Sequence, residues 1–147
     1  MREQPPESPV ANALLRAFFG ELIERYNGRP MPPEDTDLEM ERDPTVGLAA
    51  FLVAYWDGEP AGCAGLRLHG ALTRMYVARP YRRRGGGRVL LRAVEAAARA
   101  RGMQRLRIDT RDDLVEARAL YAAEGYEEVP PFNADPYAQH WFEKRLR

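Results

Sequence analysis

A run of arginine and glycine near the middle of the chain contains the residues with the clearest capacity for chemistry. It reads Arg82-Arg83-Arg84-Gly85-Gly86-Gly87-Arg88. Glycine lets the backbone N–H groups approach a ligand closely, and arginine adds fixed positive charge. The run therefore indicates an anion site, and the ligand that it favours is a phosphate ester, above all a pyrophosphate.

The flanking segments predict the elements that position this run. Leu72–Val77 is typical of a strand, which Pro80 brings to an end because proline cannot sit in a central strand. After the run, apolar residues recur at helical spacing from Leu90 to Ala98, and Gly102 predicts the end of that helix. The first N–H groups of a helix have no partner inside it, so a strand, a glycine turn and a helix N-terminus together favour anion binding.

The run can be compared with known phosphate-binding patterns. The P-loop pattern is absent, because no Lys-Ser or Lys-Thr follows the glycines. The dinucleotide fingerprint is weakened but not excluded, since Leu90 occupies its third glycine position although Asp109 follows at about the right distance. The remaining pattern, Arg/Gln-x-x-Gly-x-Gly, is matched by Arg82, Gly85 and Gly87.

A second pattern lies downstream of the first. Leu106–Thr110 predicts another buried strand, and it is followed by Ala117-Arg118-Ala119-Leu120-Tyr121-Ala122-Ala123-Glu124-Gly125-Tyr126. With both patterns in this order, the chain resembles the GCN5-related N-acetyltransferases. That family has Arg/Gln-x-x-Gly-x-Gly in its acetyl-CoA pyrophosphate loop and Ala-x-x-Leu-Tyr-x-x-x-Gly-Phe/Tyr on the helix after the second strand. The resemblance covers roughly residues 45–147 and is poor in the N-terminal third.

The resemblance implies a mixed α/β (α+β) fold of the acyl-CoA N-acyltransferase type. An antiparallel strand meander is followed by a parallel β-α-β crossover, whose two central strands splay apart to admit the CoA arm. Backbone groups of the first strand would pair with the pantetheine, and the arginine–glycine run would hold the pyrophosphate with help from the helix dipole. The cofactor-binding residues implied in this way are Met75, Tyr76, Val77, Arg82, Arg83, Arg84, Gly85, Gly86, Gly87 and Arg88.

Tyr121 is the catalytic side chain that the resemblance implies. It would lie near the CoA sulfur and donate a proton to the leaving thiolate, while an N–H near Met75 or Tyr76 would stabilise the thioester oxygen during amine attack. By position alone, Tyr121 is more simply explained as a residue that packs its helix onto the sheet. No general base is assigned, because His69 is expected in an exposed turn and His140 in the core or at its rim.

The function implied by the resemblance is that of an acetyl-CoA-dependent N-acetyltransferase. It would move an acetyl group to a primary amine of a small molecule or peptide by direct attack on the thioester. A non-catalytic acyl-CoA-binding sensor or regulatory module with the same fold is the alternative, because the base is unassigned. A nucleic-acid-binding protein led by Arg82–Arg88 is a third interpretation. Neither histidine has a second ligand at a useful spacing, so no metal is expected.

The acceptor site is expected between the first predicted helix, a proline-rich acidic segment over residues 29–44 and a late loop. Carboxylates of that segment would suit a cationic amine such as a polyamine, an aminoglycoside or a lysine side chain. Small amino acids, other amine metabolites and protein N-termini stay open. The aromatic and amide groups expected there are Phe18, Tyr26, Phe132, Asn133, Tyr137 and Trp141.

Composition sets the broad class of the protein. A chain of 147 residues suits one domain with a single core, here residues 1–147, with residues 1–9 as a loose tail that lacks a strand. The 22 basic and 22 acidic residues balance, so neither nucleic acid nor a membrane is an expected partner. The single cysteine, Cys63, is predicted to be a buried structural thiol, which fits a reducing cytoplasm. The sequence is also compatible with a homodimer.

Periodicity and turn signals predict the remaining elements. A helix with Ser8 as its cap is expected over about residues 10–26. A hairpin is expected from strands at 49–55 and 62–68, and two short strands at 125–129 and 140–145 enclose the late loop.

Overall fold

The computed structural model describes residues 2–5, 7–27, 48–112, 114–134 and 138–146 of the chain. In this part of the chain, the helix and strand positions expected from the sequence are confirmed from the first hairpin to the last two strands. No helix among the described residues is long and apolar enough to cross a membrane. The helices are α1 (Pro9–Asn27), α2 (Gly86–Ala100) and α3 (Val115–Ala123), and the strands are β1 (Arg2–Glu3), β2 (Leu48–Trp56), β3 (Glu59–Arg67), β4 (Leu72–Val77), β5 (Arg105–Thr110), β6 (Glu127–Glu128) and β7 (His140–Arg145).

The N-terminus departs from the sequence-based expectation. Arg2–Glu3 pairs antiparallel with Leu52–Val53, so β1 extends the first sheet where the sequence predicts a loose tail without a strand. That prediction is wrong because a strand of two residues has no periodicity to detect, and only its pairing with β2 defines it. Just after it, Ser8 Oγ accepts a hydrogen bond from the Ala11 N–H at 3.2 Å, which confirms Ser8 as the cap of α1.

Two antiparallel sheets meet at a parallel contact. The first sheet has the strand order β1-β2-β3-β4, and the second has the order β5-β7-β6. Ala71 bridges to Arg107 in parallel, and the Arg107 N–H donates to the Gly70 carbonyl at 3.0 Å. Within the described residues no strand pairing between β4 and β5 follows this bridge. The expected meander and the parallel crossover through α2 are therefore confirmed, with β4 and β5 joined at their starts and unpaired at their ends.

Apolar side chains of α2 and α3 cover one face of both sheets. Leu90, Leu91 and Val94 are fully buried, because they recur at helical spacing on the side of α2 that meets the strands. Gly102, with a φ of 75°, follows the last turn of α2 and confirms the predicted helix end. The strand residues of this core include Ala64, Leu66, Leu72, Leu106, Ile108 and Phe142.

Helix α1 covers the opposite face of the first sheet. Phe19 packs there with Phe51, Val53 and Cys63, whereas Leu52 points to the α2 core because side chains alternate along β2. Burial raises the pKa of the Cys63 thiol to about 12, so the thiol stays protonated at neutral pH. Cys63 is therefore the buried structural thiol that the sequence predicts.

Gly62 of β3 leaves no room for a side chain, and this gives a test of the β3–β4 contact. A Cβ at Gly62 would lie 2.5 Å from the Tyr76 carbonyl oxygen and 3.0 Å from Leu90 Cδ1, so the β4 backbone would have to move. We expect Gly62→Ala to lower the free energy of unfolding in urea by about 1–3 kcal/mol. Gly65→Ala is the matched control, because its Cβ first meets a side-chain methyl, Thr73 Cγ2, at 3.1 Å. Equal losses in the two variants would contradict this explanation.

Candidate active site

Strand β4 contains a bulge in its middle. Strands β3 and β4 pair at Cys63 with Tyr76 and at Gly65 with Thr73, so three steps along β4 match two along β3. The extra residue is accommodated at Arg74, whose φ of 52° lies in the left-handed region. A bulge places its extra residue outside the regular ladder of the strand pair, and the Arg74 carbonyl accepts a hydrogen bond from Cys63 Sγ at 3.5 Å.

Sequence reasoning missed Arg74. Its side chain is 4% exposed, although arginine is rarely buried. The guanidinium lies 5.8 Å from the centre of the Phe19 ring, and its Nη1 donates to Thr73 Oγ1 at 3.2 Å. Attraction to the aromatic ring offsets part of the cost of removing the charge from water. The available signal was an arginine inside a strand, Leu72–Val77, that is otherwise apolar except for Thr73. The buried guanidinium places a fixed positive charge beside the bulge.

The arginine–glycine run forms the connection from β4 to α2. After a 3-10 turn at Arg79–Tyr81, Arg83 (φ 63°) and Gly85 (φ 80°) take left-handed conformations, and Gly85 is the N-cap residue of α2. No carbonyl group of the described residues accepts a hydrogen bond from the N–H groups of residues 83–88, and no side chain caps the helix. These N–H groups are available to an anion, and the helix dipole favours one there.

The exposed arginines of the run have different surroundings. Arg84 lies over the Trp56 ring, with 5.5 Å between the guanidinium carbon and the ring centre. Arg88 pairs with Glu124, at the end of α3, across 2.6 Å. Arg83 makes no ion pair with the described residues. Arg84 and Arg88 thus contact neighbouring elements, whereas Arg83 is exposed to solvent.

Arg82 connects the run to β4 and α1. Its Nε donates to the Val77 carbonyl at 2.7 Å, its Nη1 donates to Glu21 Oε1 at 2.8 Å, and its Nη2 donates to Glu21 Oε2. The guanidinium also lies 5.6 Å from the centre of the Tyr76 ring. The hydrogen bond from Arg82 is the main cause that holds the pKa of the Glu21 carboxyl below its usual range. The Val77 carbonyl has a second lone pair, so this contact does not block pairing with a pantetheine.

Gly87, in the first turn of α2, lies close to side chains of both α3 and β4. A Cβ on Gly87 would lie 3.1 Å from Leu120 Cδ2 and 4.0 Å from Met75 Cε. Glycine therefore fits this position because the side chain of α3 reaches the first turn of α2. The two sequence patterns, far apart along the chain, meet at this contact, and Tyr121 directly follows Leu120.

Tyr121 is buried at the centre of an aromatic cluster. Its ring centre lies 6.1 Å from that of Tyr126 and 5.7 Å from that of Phe142, so the side chain packs α3 onto the second sheet. Desolvation is the main cause that raises the pKa of the Tyr121 hydroxyl, and the charge of Asp109 adds to it. The hydroxyl consequently stays protonated at neutral pH and lies within electrostatic reach of Asp109.

Asp109 belongs to a polar network that links β5 with the late loop. Asn133 Nδ2 donates to Asp109 Oδ2 at 2.7 Å, and Asn133 Oδ1 accepts from Trp141 Nε1 at 3.0 Å. Asp109 and Trp141 are partners in the β5–β7 register and share the face opposite to Ile108, which belongs to the α2 core. The structure thus brings together Asn133 and Trp141, two of the expected acceptor residues, and adds Asp109 to them.

Two other expected acceptor residues, Phe18 and Phe132, make contacts of a different kind. Phe18 packs against Tyr76, with ring centres 6.4 Å apart, and Phe132 lies under the Arg107 guanidinium at 5.1 Å. The acidic segment 29–44, the side chain of Tyr26 and Tyr137 lie outside the described residues.

His140 lies at the rim of the second sheet between two carboxylates. Its Nε2 is 2.8 Å from Asp112 Oδ1 and its Nδ1 is 3.1 Å from Glu128 Oε2. These hydrogen bonds raise the pKa of the imidazole above its usual value, so His140 is a poor base at neutral pH. His69 is exposed in the turn before β4, as the sequence predicts. In the described part of the chain, no group of three or more His, Cys, Asp or Glu side chains is placed to hold a metal ion.

Comparison with known proteins assigns the family. The model of the acetyltransferase (GNAT) family matches residues 11–126, and the chain belongs to this family. It is 33% identical over 140 residues to an IAA acetyltransferase of Azospirillum brasilense, covering 89% of this chain and 86% of that protein. It is 37% identical over 93 residues to an aminoglycoside N(6')-acetyltransferase type 1 of Stenotrophomonas maltophilia, covering 55% and 61%.

A solved structure shares the fold. The GNAT-family acetyltransferase of Staphylococcus aureus Mu50 matches with a TM-score of 0.73 at 20% identity, covering 95% of this chain and 96% of that one. Together with the named relatives, membership of the family identifies the protein as an enzyme that transfers acetyl groups.

The two contacts of His140 give the rim of the site a pH-dependent stability. Because the folded-state pKa is raised, the imidazolium stabilises the fold fully below the unfolded pKa of about 6.5, and this contribution is lost as the pH rises through the folded value. We expect His140→Gln to lower Tm relative to the wild type at about pH 5.5, with a smaller difference at about pH 9. Thermal unfolding of His69→Gln is the control, and the same pH dependence in both variants would contradict this role of Asp112 and Glu128.

Proposed function

We propose that the protein catalyses acetyl-CoA-dependent N-acetylation of a primary amine on a small molecule. The observation that carries this proposal is the meeting at Gly87 of three parts: the unpaired edge of β4, the uncapped N–H groups of the loop and the helix that bears Tyr121. A relative named for an aminoglycoside favours a small-molecule amine over a peptide. A cytoplasmic location and a homodimer stay predictions.

The cofactor would lie along the open edge of β4 and end on the loop. Residues 83–88 offer the N–H groups that a pyrophosphate requires, and Arg84 and Arg88 lie near enough in sequence to add charge. Met75, Tyr76 and Val77 belong to the end of β4 that has no strand partner on the β5 side among the described residues. A pantetheine arm that pairs there would act as an added strand.

Strand β4 and Tyr121 would act on the thioester in turn. The amine nitrogen forms a bond to the carbonyl carbon, and a backbone N–H near Met75 or Tyr76 would stabilise the negative charge on the oxygen, a contribution of about 2.7–4 kcal/mol. The C–S bond then breaks, and its electron pair leaves with the sulfur. The sulfur takes a proton from the Tyr121 hydroxyl, which the raised pKa keeps protonated until that moment.

Asp109 is the carboxylate that we assign to the acceptor amine. Parallel strands advance together, so two residues beyond the Ala71–Arg107 bridge Asp109 is level with Thr73, next to the bulge at Arg74. Asn133 orients its Oδ2. A carboxylate there attracts the ammonium form of the amine and takes one proton from it, which leaves a neutral nitrogen able to attack. The second proton leaves the nitrogen once the C–N bond has formed and restores the Tyr121 hydroxyl. An assigned base also weakens the alternative of a non-catalytic acyl-CoA sensor.

Removal of one hydroxyl tests the role of Tyr121. We expect Tyr121→Phe to lower kcat with a primary amine by about 100-fold, the lower end of what a general acid supplies, and to leave the KM for acetyl-CoA within about twofold. Tyr126→Phe is the matched control: Tyr126 lies in the same cluster, and its hydroxyl donates to Glu95 Oε2 at 2.8 Å. It should lose about 1 kcal/mol of stability and keep its kcat. An unchanged kcat in Tyr121→Phe at every pH would contradict the proposed acid.

A further inference from the structure

Glu21 joins two elements that lie 61 residues apart in the sequence. Both of its carboxylate oxygens accept hydrogen bonds from Arg82 at the start of the loop, and Oε1 also lies 3.4 Å from Arg79 Nε. The Glu21 side chain is 15% exposed and that of Arg82 is 35% exposed, so the pair is partly shielded from water. Salt weakens such a pair less than one on the open surface.

The Arg82 guanidinium also contacts the end of β4. Its Nε donates to the carbonyl of Val77, the last residue of β4, and its plane lies over the Tyr76 ring. The planar guanidinium of Arg82 therefore connects the end of β4, the start of the loop and α1. Bidentate pairing fixes the orientation of an arginine more strongly than a single contact does. Next along the chain is Arg83, whose φ of 63° is left-handed and begins the turn that leads into α2.

We propose that Glu21 is a positioning residue for acetyl-CoA. By fixing Arg82, it holds the N–H groups of residues 83–88 in the arrangement that receives the pyrophosphate. Glu21 itself does not contact the cofactor. The inference rests on the proposed function, because it requires the pyrophosphate to bind this loop.

Simple electrostatics predicts the opposite effect. Glu21 is a negative charge close to a site for an anion, so its neutralisation would strengthen binding if charge attraction alone mattered. If Glu21 acts by positioning, the same neutralisation releases Arg82 and weakens binding. The sign of the change therefore separates the two explanations.

The experiment measures acetyl-CoA affinity in the full chain with Glu21→Gln, by calorimetry and steady-state kinetics. We expect Kd and KM for acetyl-CoA to rise about tenfold, the equivalent of about 1.4 kcal/mol, while kcat at saturating acetyl-CoA stays within about twofold. Glu24→Gln is the matched control, because it removes the same charge from the same helix without a contact to Arg82. Unchanged or tighter binding in Glu21→Gln would overturn the proposal.

Acetylpantetheine, a donor without the pyrophosphate, provides a readout that a general loss of structure would not give. The kcat/KM for acetylpantetheine should be the same in Glu21→Gln and the wild type, because this donor does not reach the loop. An equal loss with both donors would overturn the positioning role.

Should Glu21→Gln fail to fold, Arg82→Lys provides a second test, because it keeps the positive charge and removes the bidentate guanidinium. This variant should show the same rise in Kd for acetyl-CoA, and an unchanged Kd would overturn the proposal. A wild type that does not bind acetyl-CoA would refute the proposed function, and this inference with it.

Discussion

Strands β4 and β5 are joined by the bridge between Ala71 and Arg107, and beyond it the two strands do not pair with each other within the described residues. This constraint determines where the other parts of the site lie. It gives the end of β4 an edge open to a ligand. Tyr121 of α3 lies on one face of the second sheet, and Asp109 of β5 meets Asn133 of the late loop on the other. The crossover through α2 then brings the uncapped N-terminus of that helix to the end of the same opening.

The opening is maintained at a local energetic cost. Arg74 and Arg83 have left-handed backbone conformations, which cost a non-glycine residue on the order of 1–3 kcal/mol each, and Arg74 is also buried. Packing on both faces of the sheets offsets this cost, with α1 on one face and α2 and α3 on the other. The left-handed backbone and the buried charge of Arg74 lie at the bulge of β4, next to where the chemistry is proposed.

The sequence predicted the parts of the site that depend on local pattern. Helical spacing and glycine position located α2 and its loop, and the order of the two patterns identified the family. Three features depend on contacts between distant residues, and the sequence did not show them: the bulge at Arg74, the pairing of Arg82 with Glu21, and the network from Asp109 through Asn133 to Trp141. The strand Arg2–Glu3 was missed for the same reason, because only its pairing with β2 defines it.

Calorimetric titration tests directly whether the N–H groups at the start of α2 bind the pyrophosphate of acetyl-CoA. Gly86 is the position to change, because a Cβ there would lie 3.5 Å from Val77 Cγ1, an ordinary contact. An aspartate in the first turn is compatible with the helix dipole, yet it would repel a phosphate. We expect the wild type to bind acetyl-CoA, Gly86→Asp to lose about 100-fold or more in affinity, and the neutral Gly86→Asn to lose much less. Equal affinities in all three proteins, or no binding by the wild type, would contradict this role of the N–H groups.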